Sequence, residues 1–364
     1  MAIIILKITE MKKFLMYISF AILLVSCQNG EIEYPDYTYQ TVYFPVQYPV
    51  RNLVLGESRY DTSIDKEHAF TIAVNVGGLY DYNGKDRVVY IKYAPELVTK
   101  SFITGNDTTV LTSLSDTLRV LPASYCKQDL TTIDRIIIPK GSFDGRIRIE
   151  LTDAFFNDPK SIGVRYVLPF VILPTTEDSV LTGRPLDGLL VKPSRLTKAH
   201  WKPGFTPMDY TLFAVKYSNI YHGNYFHYGV ENLYKSDVFV STKKYSTPFV
   251  EDNNITFVKT ASLTESTIDR LGGTSIGDKY TIKLKVNDDK TITLSSVPNA
   301  KKDHVVVTGT GRVLNDNERV SWGGKPNPTI VLDYKFTDTN GEHRCKDTLV
   351  YRTNNIIFQD YVLK

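Results

Sequence analysis

The sequence predicts an all-β protein of two domains, an immunoglobulin-like sandwich followed by a small up-and-down β-barrel. Three observations carry this. From Tyr37 onward, apolar and polar residues alternate with period two in short runs closed by Gly, Pro, Asn or Asp, and helical spacing is scarce. The composition is strand-rich, with 24 tyrosines beside many threonines and valines and only two tryptophans. Of 364 residues, about 340 remain once a leader is set aside, enough for two ordinary domains.

The leader comes first. Met11-Lys12-Lys13 precedes the apolar run 14–25, which Ser26 and Cys27 close. A basic start, an apolar core and a small residue before the cut make a secretory signal over 1–26. The run is too short for a bilayer, which takes about 20 residues of helix. Glu10 is out of place in such a start, so Met11 is the expected first residue. Leu24-Val25-Ser26-Cys27 resembles a bacterial lipobox, and the resemblance implies that Cys27 is diacylated and begins the mature chain. Ordinary cleavage with an incidental cysteine is the alternative. Residues 27–36 read as a tether, and Glu31, Glu33 and Asp36 partly resemble the acidic export signal of Bacteroidota surface lipoproteins.

In the body, 37–183 reads as the sandwich. Its strands are expected at 41–46, 70–76, 87–93, 117–121, 134–138, 145–151 and 166–173. Phe70, Ile72, Val74 and Val76 share one face, and Ile147, Ile149 and Leu151 point inward against Arg146, Arg148 and Glu150. The run 166–173 is nearly all apolar and is expected to be covered on both faces. Seven or so short strands suit a sandwich. Residues 184–207 hold four prolines and the cations Lys192, Arg195, Lys198 and Lys202, and read as a stiff, solvated linker. Alternation resumes at 210–217, 254–260, 280–286, 291–296, 304–308, 329–336, 344–352 and 356–362, so 208–364 reads as a meander closing into a barrel. A short helix is expected at 265–271, with Thr264 as N-cap and Gly272 as stop.

Several segments resemble known modules. Leu121-Pro122-Ala123-Ser124-Tyr125, Ile138-Pro139-Lys140-Gly141, Leu151-Thr152-Asp153-Ala154-Phe155-Phe156-Asn157-Asp158-Pro159 and Tyr166-Val167-Leu168-Pro169 resemble an uncharacterised N-terminal module of Bacteroidota surface lipoproteins, found also ahead of some family-18 glycosidases. The stretch 217–229 resembles the opening of a calycin-like C-terminal domain that partners it. These likenesses imply a glycan-utilisation system at the outer membrane, with the body facing the cell exterior.

Charge and motif exclude other classes. The chain has 43 basic and 40 acidic side chains, net +3, and no clustered basic face with interleaved aromatics, which argues against nucleic acid. Cys126 and Cys345 read as isolated buried thiols. Gly273-Thr274-Ser275-Ile276-Gly277 matches G-x-S-x-G, but its helix and strand flanks are reversed for a nucleophile elbow. His222 and His227 fall on opposite faces of a strand, so no metal pair is expected, and no cofactor. Asp288-Asp289 and Glu251-Asp252 diverge in turns. The D-x-x-D-x-D-x-E signature of family-18 glycosidases is absent from the sequence, so no catalysis is expected.

The candidate sugar contacts are Trp201, Tyr221, Tyr225, His227, Tyr228 and Trp322. Sugars offer apolar ring faces and outward hydroxyls, which aromatic platforms with neighbouring polar groups complement. The competing reading is that the tyrosines pack the barrel and the tryptophans plug a domain junction. The expected partners are the membrane through Cys27, glycans, and a neighbouring outer-membrane transporter or glycan-docking lipoprotein. Two alternatives are an assembly lipoprotein with no sugar site and a hydrolase with a hidden one. Replacing Cys27 with serine is expected to abolish radiolabelled palmitate incorporation and to move the protein from the membrane pellet to the soluble fraction.

Overall fold

The computed structural model describes residues 35–80, 82–98, 118–174, 176, 178–189, 191–269, 271, 281–297, 305–354 and 356–363. The leader, Cys27, the tether to residue 34 and the 273–277 motif lie outside them.

In chain order the first strands are β1 (Thr41–Tyr43), β2 (Pro49–Val54), β3 (Ala69–Gly77), β4 (Arg87–Tyr93), β5 (Arg119–Val120), β6 (Arg135–Ile138), β7 (Asp144–Glu150), β8 (Tyr166–Ile172), β9 (Ser179–Val180) and β10 (Tyr210–Ser218). One sheet runs β7-β3-β1-β9, and a second runs β2-β10-β8-β4-β6 with β5 beside β8. Alternation supplies the core between them: Val42, Phe70, Ile72 and Ile149 meet Leu53, Val89, Ile91, Leu168, Phe170 and Val215. The second sheet is covered on its other face too, by a core that includes Val50, Val167, Leu212, Ala214 and Tyr361. This two-sided cover is why Tyr166 to Phe170 are buried without alternation.

The remaining strands are β11 (Gly223–Lys235), β12 (Val238–Tyr245), β13 (Asn254–Thr260), β14 (Glu265–Ile268), β15 (Thr281–Val286), β16 (Thr291–Val297), β17 (Val307–Val313), β18 (Ser321–Trp322), β19 (Lys325–Pro326), β20 (Thr329–Asp338), β21 (Gly341–Thr353) and β22 (Gln359–Asp360). Eight of the described strands, β11-β13-β14-β15-β16-β17-β20-β21, close into an antiparallel barrel when β21 pairs back with β11. Alternate residues fill its interior, among them Tyr225, Val258, Ile282, Leu294, Leu332, Tyr334, Leu349 and Tyr351. β12 pairs with the outer half of β11, and β18–β19 is a separate hairpin.

Four expectations are corrected. The strand expected to open the barrel, β10, lies in the N-terminal sheet, parallel to β2 and antiparallel to β8. Both its faces carry apolar residues, Val215 and Tyr217 into one core and Leu212 and Ala214 into the other, a burial that the sandwich provides. The expected linker 184–207 is folded onto the sandwich. Arg184 N donates to Phe205 O (2.8 Å), Lys202 N to Arg184 O (2.9 Å), and Arg195 grips buried Asp209 with two nitrogens at 2.6 and 3.0 Å. The junction therefore falls after Ser218. Instead of joining the barrel, the run 356–362 returns to the sandwich as β22, paired with β2, and Tyr361 is buried with its hydroxyl on Leu212 O (2.7 Å). Finally, 265–268 is a strand rather than a helix, because β13 and β15 flank it and satisfy its backbone.

At the junction His222 sits beside Thr260, whose backbone N–H donates to its Nδ1 (3.2 Å). Burial, then Lys216 and Lys259, hold the imidazole down from 6.5 to about 4. Between those values the unfolded chain takes up a proton that the folded chain refuses, so this group's stability is fully present above pH 6.5 and is lost as pH falls toward about 4. The loss is on the order of 3 kcal/mol at most. Urea unfolding at a series of pH values should show this slope, and His222→Asn, whose side-chain oxygen can replace Nδ1 as acceptor, should flatten it.

Candidate functional site

Between the sandwich and the barrel runs a crevice organised by the loop 55–62. Gly56 is required there: a Cβ on it would stand 2.7 Å from Ile220 O. The next carbonyl, Glu57 O, accepts from Tyr351 Oη (2.8 Å) and Asn354 Nδ2 (3.2 Å), so the barrel's last strand pins the loop. The crevice has two parts, and Ser58 and Arg59 line both.

The first part is a basin of about 500 Å³ between β2, the loop and the C-terminal segment. Phe213 contributes an apolar wall and stacks on Phe70 at 5.4 Å. Asp65 is buried; burial pushes its carboxyl up, while Val54 N–H (2.8 Å) and the guanidinium of Arg51 hold it. At the rim Tyr60 is 63% and Phe358 74% exposed, and Arg59 lies 4.9 Å over the Tyr60 ring. Large aromatic rings left in solvent at the mouth of a cavity with buried polar groups are the pattern of a ligand site.

The second part is an arm of about 370 Å³ lined by Arg59, Arg319, Trp322, Lys325, Tyr351 and Arg352, among others. Trp322 stands on the β18–β19 hairpin, whose tip Gly323-Gly324 takes φ +59 and +78, values that suit glycine. Asn327 Nδ2 holds the hairpin through Trp322 O (3.0 Å) and Lys325 O (2.7 Å). The indole Nε1 donates to Tyr351 O (2.8 Å), and its ring meets buried Phe226 edge-on at 5.0 Å.

Of the six residues expected to contact sugar, Trp322 alone lines this crevice. Trp201 is buried within the sandwich rather than at the domain junction: its Nε1 donates to Ser194 O (2.8 Å) and its ring packs on Gly183. Tyr225 is buried inside the barrel, with its hydroxyl on Tyr221 O (2.9 Å), and half-buried Tyr221 packs on the same core. His227 is also interior, with Nε2 at 3.0 Å from Asp347 Oδ2. Tyr228 is half-buried on the outer wall opposite Thr348. Asp347 further accepts from Tyr334 Oη (2.8 Å) and from Tyr245, whose hydroxyl is pushed up by burial and then by that carboxylate. A second interior pair joins His343 to Glu231 (2.6 Å) and Asp338 (3.0 Å). Among the described residues no group of three His, Cys, Asp or Glu side chains is placed to hold a metal. Cys126 and Cys345 are free and buried, and burial pushes the Cys126 thiol up to about 12. Sequence reasoning missed Arg59, Tyr60 and Phe358. An arginine–tyrosine–aspartate triplet following Gly56-Glu57-Ser58 between two strands was the available signal.

Residues 220–355 match the family described as a domain of unknown function (DUF5627), and residues 37–179 match one described as an N-terminal domain. The first match begins one residue past Asn219, in line with the corrected junction. Over nearly its whole length the chain is similar to a Bacteroides ovatus protein of unknown function and known crystal structure, with 31% identity, a TM-score of 0.75, and 91% of this chain and 99% of that one covered. The chain belongs to that protein's family. A B. ovatus multidomain protein including DUF1735 (13% identity, TM-score 0.38, 87% of this chain and 97% of that one) and a Bacteroides thetaiotaomicron auxiliary nutrient binding protein (14%, 0.37, 82% and 89%) are too distant to carry an argument. Co-chaperonin GroES of Bacillus licheniformis is 30% identical over 87 residues, 92% of its length but 22% of this chain, which leaves most of this chain outside the match.

Trp201→Ala is expected to lower stability by about 3 kcal/mol, as loss of a buried indole does, read as a lower urea midpoint, while ligand retention by the folded protein stays unchanged.

Proposed function

We propose that the protein is a non-catalytic accessory of a polysaccharide-utilisation system, lipid-anchored through Cys27 at the outer membrane and facing the exterior, which holds glycan in the crevice between its domains. The observation that carries this reading is the placing of Tyr60 and Phe358 on the basin and of Trp322 on the adjoining arm, with Arg59 lining both and Arg51 in the basin. Ring faces can stack on the aromatics while hydroxyls meet the charged groups. The lipobox resemblance supports the anchor. A second reading, in which a partner protein docks on the molecule and no sugar binds, is favoured by β12. Val238, Phe239 and Val240 are exposed along that strand, with Phe249 and Ile255 exposed nearby in the chain.

Affinity electrophoresis through gels carrying host and plant polysaccharides is expected to retard the purified protein with at least one of them. Tyr60→Ala combined with Phe358→Ala should weaken that retention by about thirtyfold, at roughly 1 kcal/mol for each stacked ring, with the melting temperature unchanged because both side chains are exposed. Retention by none of the gels, or retention indifferent to the double change, speaks for the edge-docked partner.

A further inference from the structure

We infer that the Trp322 arm of the crevice takes an anionic sugar, one carrying a carboxylate or a sulfate; this rests on the reading of the crevice as a glycan site. Four cations, Arg59, Arg319, Lys325 and Arg352, line the arm against one carboxylate, that of Glu57. The chain as a whole balances 43 basic with 40 acidic side chains, so the arm is a local excess.

Elsewhere several arginines are matched to carboxylates, Arg51 to Asp65, Arg87 to Asp178, Arg148 to Glu67, Arg195 to Asp209, Arg312 to Glu318 and Arg344 to Glu342, while Arg184 lies over the Phe205 ring (4.6 Å). The arm gathers two ring-held arginines in one place. Arg59 lies over the Tyr60 ring (4.9 Å) and Arg352 over the Phe226 ring (5.7 Å), and among the described residues neither has a carboxylate partner, nor does Lys325. A guanidinium resting on a ring face keeps its in-plane N–H donors, the fork that matches a carboxylate or sulfate. Arg319 pairs with Asp316, which is 85% exposed, yet its Nε is buried without an acceptor among the described residues. A buried donor left open costs free energy that an acceptor reaching it would recover. The basin differs, since Asp65 there is paired with Arg51 and Asp61 adds a second carboxylate to its lining. A glycan chain therefore lies with a neutral ring in the basin and its acid group in the arm.

The test is affinity electrophoresis of the purified protein in polygalacturonate, dextran sulfate and dextran, with sedimentation on phosphatidylglycerol vesicles alongside. Retention by polygalacturonate identifies carboxylate and by dextran sulfate identifies sulfate; either is expected to exceed dextran by about tenfold and to weaken as salt is raised. Arg59→Gln and Arg352→Gln should each weaken it by about tenfold, one charge-assisted contact apiece, with unchanged melting curves. Retention by neutral polysaccharides alone overturns the inference and leaves the glycan site standing, whereas retention by no polysaccharide removes both. Acid-polymer binding that survives both arginine changes, or equal binding to the vesicles, also overturns it.

Discussion

Asn219 joins the two halves of the protein through one buried side chain. Its two amide protons are shared among Ser262 O (2.8 Å), Glu265 O (3.0 Å) and Ser266 Oγ (3.0 Å), and its Oδ1 accepts from Tyr221 N (3.1 Å). Its backbone N–H reaches Thr260 Oγ1 (3.0 Å), the threonine that also bonds His222. The residue follows β10 without a gap, so a strand held between β2 and β8 in the sandwich delivers its next residue directly into the barrel's backbone. Asn219 itself is buried, so losing a partner costs the desolvation of the group left behind, about 1–3 kcal/mol. No free linker intervenes, and the angle between the domains follows from hydrogen bonds rather than from chain stiffness.

The crevice inherits its shape from that junction. The loop 55–62 passes against Ile220 at Gly56 and is tied to β21 through Glu57 O. The chain then leaves β21, crosses the basin with Ile357 and Phe358, and is sewn back onto β2 by β22 and the buried Tyr361. Three separate attachments fix the walls before any ligand arrives. A preformed cleft avoids the ordering cost that a mobile one meets on binding, so a modest number of contacts can suffice.

The barrel interior answers to a different constraint. An eight-stranded barrel of this kind is just wide enough for side chains to fill, and here the filling includes charge. Asp347 lies between His227, Tyr245 and Tyr334, and Gly229 opposite it has no room for a Cβ, which would stand 2.3 Å from Asp347 Oδ1. Buried ionisable groups hold only when their partners are in place, and Asp347 has two hydroxyl donors here, those of Tyr245 and Tyr334, with His227 Nε2 3.0 Å away. That is why the aromatic and histidine cluster legible at 221–228 turns mostly inward: the residues that best fit a sugar platform in composition are the ones that complete the interior.

Alternation marked the strands well, and Arg87–Tyr93 and Asn254–Thr260 begin and end where the sequence places them. It tells which face is apolar, however, and not which sheet supplies the cover. Tyr210–Ser218 was therefore legible as a strand while its sheet was not. Val238–Tyr245 carried no signal, being exposed along nearly its whole length. Caps at Thr264 and Gly272 suggested a helix over 265–271, but local propensity yields when flanking strands offer a ladder, as β13 and β15 do for 265–268. The crevice was hidden for a further reason. Its residues come from a loop near residue 59, a hairpin near 322 and a tail near 358, which no sequence period relates. What brings them together is the junction at Asn219, where a single asparagine shows little in the sequence because its effect depends on three acceptors more than forty positions away.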